Sequence, residues 1–185
     1  MAPRVEYIEV RDMVPELKSR FNSGKQLNIF KAIANHPELA NSWLKFADHV
    51  VGKTQTLPPR DRELVILRIG WLCQSDYEFG QHVRIGLRTG VKEDEIKKLT
   101  ARFAHEQPGW AENERLLLEA TDELKNSSKI SDRTWSALTK FYSTRQLMDV
   151  VFAVGQYNMV SMFLNTLQVE REEGVVGFPI SPSRL

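Results

Sequence analysis

Cysteine is nearly absent from this sequence: Cys73 is the only one in 185 residues. No intrachain disulfide can form, so cysteine usage gives no support for secretion. No apolar run approaches the roughly 20 residues that span a bilayer. The first residues, MAPRVEYIEV, carry charges where a secretory leader needs an apolar stretch. An excess of one charge is missing too. With 25 basic and 24 acidic residues the formal net charge is +1, which excludes an electrostatic argument for nucleic acid or an anionic membrane. The four histidines include no i, i+4 pair, and no Cys/His cluster, glycine-rich phosphate loop or G-x-S-x-G elbow occurs. The expectation is a cytoplasmic protein with no metal, cofactor, nucleic acid or membrane partner.

What is present is helical periodicity. The composition, 42% hydrophobic and 26% charged, supports a sizeable core, and the length suits one domain over residues 1–185. RVEYIEV reads as a short extended arm. N-terminal helices are expected over about 12–51, interrupted at Gly24 and at His36-Pro37. LPPRDRE is the clearest helix start, since Pro58 and Pro59 hold φ near the helical value. The helix passes through Leu64, Leu67 and Trp71. Ser75 to Glu78 has the form of a capping box and opens a new helix, which stops at Gly90. Further helices are expected at Lys92 to Leu99, from Trp110 into the turn at Ser128, and from Ser131 to Tyr142. A long one follows over about 144–172. Its middle, VVFAVGQYNMVSMFL, is apolar nearly all round, so an oligomer interface or a deep core must cover more than one side. The tail GVVGFPISPSRL is expected to be irregular and docked through Phe178. One faint echo pairs DRELVILRIGW and FGQHVRIGL with DRTWSALTKFY and VGQYNMVSM, by chance or by degenerate duplication.

Chemistry concentrates between residues 57 and 100. Ser75, Glu78 and His82 fall at i, i+3 and i+7, one face of a helix. If the preceding helix packs against it as a hairpin, Glu63 meets His82. A carboxylate beside an imidazole sets its tautomer and raises its pKa, which makes a general acid/base pair. Simpler roles exist for each: Ser75 and Glu78 as a capping box, Glu63 on the helix dipole, His82 as a structural histidine.

The segment RDRELVILRIGWLCQSDYEFGQHVRIGLRTGVKEDEIKKL resembles the carboxymuconolactone decarboxylase family, which includes the alkylhydroperoxidase D-like proteins. The resemblance rests on the Arg-Glu helix start, the spacing from Glu to His, and a glycine followed by a short acidic helix. It implies an all-α, alkylhydroperoxidase D-like helical bundle with flanking helices, commonly a trimer or hexamer. The peroxidase branch uses a Glu and then Cys-x-x-Cys-x-x-x-His. Here the Glu falls at Glu63 and the His at His82, but Ser75 and Glu78 stand at the two cysteine positions. Without paired thiols the disulfide cycle cannot run. Cys73 lies two residues earlier, turned about 200° away on a helix.

A Glu four residues before the His looks like the decarboxylase branch, which removes CO₂ without metal or organic cofactor. By that analogy His82 is general acid or base, Glu63 orients it and Glu78 shares in proton transfer. Ser75, Tyr77 and Trp71 are the candidate pocket residues beside them. Arg68, Arg84 and Arg88 are available to anchor a substrate carboxylate, and Arg84 joins the candidate site. The leading expectation is a cofactor-free acid/base enzyme acting on a small carboxylated or carbonyl-bearing molecule. The alternatives are a hydroperoxide reductase using Cys73 and a non-enzymatic oligomeric small-molecule binder.

Overall fold

Residues 2–21 and 26–178, the part that the computed structural model describes, form nine α-helices and no strand. Gly24 and the segment 179–185 lie outside the described residues. The helices are α1 (Pro15–Arg20), α2 (Asn28–Ile33), α3 (Pro37–Val51), α4 (Pro59–Leu72), α5 (Asp76–Arg88), α6 (Glu93–Leu99), α7 (Glu112–Ser127), α8 (Asp132–Leu138) and α9 (Thr144–Leu167).

Helix α4 is the centre of the molecule. Every residue from Asp61 to Trp71 is buried, so it has no solvent face and no amphipathic stripe. Val65, Ile66 and Ile69 pack with Leu116 and Leu117 of α7 and Leu147 and Val150 of α9. Leu64 and Leu67 face the other way, onto Phe79 of α5, Leu99 of α6 and Leu118 of α7. Glu63, Arg62 and Arg68 are enclosed with them. Buried charge is rarely found unpaired, which marks α4 as the element that carries the polar chemistry inward.

Two expected helix ends move. The helix begun at Ser131 stops at Leu138 rather than Tyr142. The long helix stops at Leu167, not at about 172, because Gln168 takes the left-handed conformation (φ 54°) and Val169 N–H donates to the Leu164 carbonyl. Glu170 to Glu172 therefore run as an arm that carries Glu172 back to α5. Helix α9 is long and apolar enough to cross a membrane by length and composition. Its buried side chains, among them Gln156, Tyr157 and Ser161, pack against the rest of the fold as a core helix does.

The turn between α4 and α5 decides how the site is presented. Gln74 adopts the left-handed region (φ 52°), its N–H donates to the Trp71 carbonyl, and the Ser75 N–H donates to the Gly70 carbonyl at 3.0 Å. These two bonds make a Schellman closure of α4. The expected capping box is not formed: Ser75 is the N-cap residue of α5, but its side chain makes no capping bond. Its N–H is already used by Gly70, so Glu78 has nothing to cap and turns elsewhere. The tail docks as expected, with Phe178 packed edge-on against Trp71 at 4.9 Å and beside Phe79 at 5.2 Å. Gly80 permits this approach, because a Cβ there would lie 2.6 Å from the Val176 carbonyl oxygen.

Candidate active site

Helices α4 and α5 pack as the expected hairpin and bring Arg62, Glu63, Glu78 and His82 into one row. The His82 Nδ1–H donates to Glu63 Oε2 at 2.6 Å. Its Nε2 lies 3.1 Å from Glu78 Oε1. Glu63 is fully buried, and its other oxygen accepts from Arg62 Nε at 3.0 Å. The order Arg62–Glu63–His82–Glu78 thus alternates in charge when the imidazole is protonated. Both ring nitrogens face carboxylates, an arrangement that suits an imidazolium, which has a proton on each.

Burial opposes charge on His82, but Glu63 and Glu78 outweigh it and push its pKa from the ordinary 6.5 up to about 9. Burial likewise works against a charged Glu63, yet His82 and Arg62 overcome it and hold this carboxyl below its usual range. Tyr157 of α9 packs edge-on against the His82 ring, with centroids 4.8 Å apart. Burial, with the charges of Glu78 and Glu63 nearby, pushes its hydroxyl well above the usual tyrosine value, so it stays protonated.

The row ends at a cavity of about 240 Å³ lined by residues of α2, α3, α5 and α9. Glu78, His82, Tyr157 and Gln156 line it, and Ile29, Phe30, Leu44, Val50, Ile85 and Val160 give it apolar walls. Glu63 and Arg62 stand behind His82 and do not line it. Glu78 and His82 are therefore the groups a bound molecule meets, and Glu63 acts on it only through the imidazole.

The other expected site residues divide. Tyr77 lines the cavity, but its hydroxyl is spent: it accepts from Ile29 N–H at 3.2 Å and donates to Glu172 Oε1 at 2.7 Å. Ser75 is fully buried with no partner for its hydroxyl, and it does not line the cavity. Trp71 packs with Phe79 and Phe178 in the cluster beyond α5, away from the cavity. Arg84 and Arg88 are exposed. Arg68 is buried, and its guanidinium is engaged by Asp122 and three carbonyls. None of the three arginines reaches the cavity. Cys73 caps α4, and its thiol donates to Asn158 Oδ1 at 3.1 Å, also outside the cavity. Among the described residues, no three His, Cys, Asp or Glu side chains are grouped to hold a metal ion.

Arg62, Trp43, Gln156 and Tyr157 are the site members that sequence reasoning missed. The echo between FGQH and VGQY held a signal for two of them. It aligns Gln81 with Gln156 and His82 with Tyr157, and all four line the cavity.

The all-helical bundle has an alkylhydroperoxidase D-like fold. The profile of the carboxymuconolactone decarboxylase family matches residues 37–122, the span that holds Arg62, Glu63, Glu78 and His82. The matched span is thus similar to that family. An alkylhydroperoxidase AhpD core protein, an uncharacterized peroxidase-related protein from Ralstonia eutropha JMP134, superposes with a TM-score of 0.82 at 15% identity over 92% of this chain and 93% of its own. A peroxidase-related protein from Silicibacter sp. TM1040 gives 0.79 at 15% identity, over 94% and 93%. A variant of the debrominase Bmp8, in complex with 2,3,4-tribromopyrrole, gives 0.76 at 15% identity over 94% of both chains. At these identities the likeness is one of fold. No curated protein matches the chain in sequence.

Proposed function

We propose that the protein is a cofactor-free acid/base enzyme that moves protons on a small carbonyl-bearing or carboxylated organic molecule in the cytoplasm. The observation that carries this reading is the imidazole of His82 held between two carboxylates at the wall of an apolar cavity, with Glu78 on the cavity side. Glu63 fixes the ring and its charge, while Glu78 and His82 exchange protons with the substrate. Among the described residues no thiol lines the cavity, and that of Cys73 lies outside it.

The test is wash-in of solvent deuterium, followed by NMR, over a panel of small ketones, lactones and keto acids. Wild type is expected to exchange at least one of them. Glu78→Gln and His82→Gln should lower the rate by about 100-fold or more, and Cys73→Ser should leave it unchanged. Exchange as fast in Glu78→Gln as in wild type would sink the proposal.

Self-association is proposed alongside. Helix α9 leaves Met148 53%, Phe152 51% and Met162 59% exposed, near Met159 at 46%, an apolar stripe of the kind that marks a protein contact. Met162→Glu is expected to reduce the mass seen in sedimentation at micromolar concentration. A monomeric wild type would exclude the interface. An adjoining apolar groove of about 310 Å³, which shares Ile29, Trp43 and Val160 with the cavity and runs on past Leu39, Phe46, Met159 and Phe163, has no titratable group in its lining.

A further inference from the structure

Folded proteins leave few buried polar atoms without a hydrogen bond, and each exception calls for an explanation. Two of those in this protein line the same cavity. The indole Nε1–H of Trp43 is buried with no acceptor, and Oε1 of Gln156 is buried with no donor. Gln156 is only 4% exposed. Tyr157, its neighbour on α9, lines the cavity as well, and among the described residues its hydroxyl makes no hydrogen bond. The remaining polar groups of the wall are committed: Glu78 lies against His82, Gln81 and Tyr77 donate to Glu172, and Asp48 accepts from Arg20.

Charge narrows what can enter. The ionisable lining consists of Asp48, Glu78, His82 and the two tyrosines, and no Lys or Arg among the described residues lines the cavity. His82 is the only cation there, and both its nitrogens already face carboxylates. A carboxylate ligand would have to displace Glu78 and then remain beside it, like charge against like charge in an apolar setting. An uncharged molecule meets no such opposition. Size narrows it further. An engineered cavity of about 150 Å³ binds benzene, so about 240 Å³ accepts one ring with a few substituents.

We propose that Trp43, Gln156 and Tyr157 form the recognition set for an uncharged single-ring compound bearing a carbonyl or hydroxyl oxygen, and that carboxylates are excluded. The indole N–H and the phenol O–H offer donors to the ligand oxygen, and Gln156 Oε1 offers an acceptor to a ligand O–H or N–H. Apolar walls hold the ring. This inference rests on the acid/base reading of the same cavity and narrows its substrate to the uncharged carbonyl class. The step it implies is redox-neutral. A carbon acid beside the carbonyl gives its proton to Glu78, and the C–H electron pair moves into an enolate. The Tyr157 hydroxyl then stabilises the charge on the enolate oxygen. Return of a proton from Glu78 or His82 to the same carbon, or to a conjugated one, completes the transfer.

Binding tests the inference without requiring turnover. The indole ¹H–¹⁵N signal of Trp43, assigned by its loss in Trp43→Phe, is followed while phenol, cyclohex-2-enone, benzoate and cyclohexenecarboxylate are titrated at pH 7. Phenol and the enone are expected to shift it and to bind at least tenfold more tightly than the two carboxylates. Gln156→Leu is expected to weaken phenol at least tenfold, and Tyr157→Phe to weaken the enone several-fold. Because Gln156 makes no bond that the fold uses, Gln156→Leu should keep or raise Tm while it loses ligand; a structural glutamine would do the opposite. Carboxylates binding as tightly as their neutral partners would overturn the inference, as would Gln156→Leu and Tyr157→Phe binding like wild type. Neutral probes that bind as stated but show no deuterium exchange with any carbonyl compound would leave this binding set standing and remove the acid/base reading instead.

Discussion

Stability should fall by roughly 3 kcal/mol as pH rises from 6.5 to beyond 9, and Glu63→Gln should abolish most of that dependence. The direction follows from His82. Its folded pKa, about 9, lies above the ordinary 6.5, so the folded protein holds a proton there that the unfolded chain releases. The resulting stability is fully present below about 6.5 and is lost as pH rises through about 9. The size is the interval between those two values at about 1.4 kcal/mol per unit. Glu63 acts at the other end. Its carboxyl is held below the ordinary 4.5, so its contribution is present above that value and disappears as pH falls below it. Maximum stability is therefore expected between about pH 4.5 and 6.5.

Glu63→Gln removes the charge that supports both His82 and Arg62. With the larger of its two favourable partners gone and only Glu78 left to oppose burial, the His82 imidazole should titrate well below 9 by NMR. Glu63→Ala goes further. It leaves the Arg62 guanidinium and the imidazole without their shared acceptor in a fully buried position. Loss of about 3–5 kcal/mol in urea unfolding at pH 6 is expected. If His82 in Glu63→Gln still titrated near 9, Glu63 would not be the group that sets its charge.

The pairing of Glu63 with His82 was legible because it needs only a hairpin of two adjacent helices, and the Pro-Pro start and the break before Ser75 define both. Glu78 was legible as a neighbour of His82 at i, i+4, yet its role depended on a competing cap. That competition is decided by the Ser75 N–H, which the Gly70 carbonyl takes because Gln74 turns left-handed. A glutamine in that conformation gives no signal of the kind a glycine gives. Trp71 faced the wrong side for a different reason: eight residues after Glu63 on α4, it is turned about 80° from the face that meets His82 and packs on Phe178 instead. Gln156 and Tyr157 lie about 75 residues beyond His82, and only the tertiary packing of α9 brings them to it. The sequence mark they carried was a polar pair within an apolar run, which periodicity treats as an interruption in a core stripe. The arginine expected to anchor a carboxylate had no counterpart at all. Arg68 has the burial of a binding residue and the partners of a structural one.

Replacement of Arg68 by alanine is expected to destabilise the protein by about 3–5 kcal/mol, comparable to Glu63→Ala. Arg68 is 1% exposed, and all five of its N–H groups find acceptors. Nε and Nη2 grip Asp122 of α7 at 2.6 and 3.0 Å. Nη1 reaches the carbonyls of Leu99 and Ala101 at 2.7 and 2.8 Å, and Nη2 that of Arg102 at 3.0 Å. Those carbonyls close the end of α6, where a cation also opposes the helix dipole. One side chain thus ties α4, α6 and α7 together. Truncation leaves Asp122 without its main cation and three carbonyls without donors. Arg68→Lys should recover less than half of the loss, because an ammonium has three donors and no planar fork to match a carboxylate. Arg68→Met fills the space but satisfies none of the acceptors, and it should behave like alanine. The measurement is urea unfolding of the three variants at pH 6. His82 titration and Trp43 ligand shifts in Arg68→Lys should remain near wild type, since the clamp lies outside the cavity. A loss below 1 kcal/mol for Arg68→Ala would mean that the three helices hold their places by apolar packing alone.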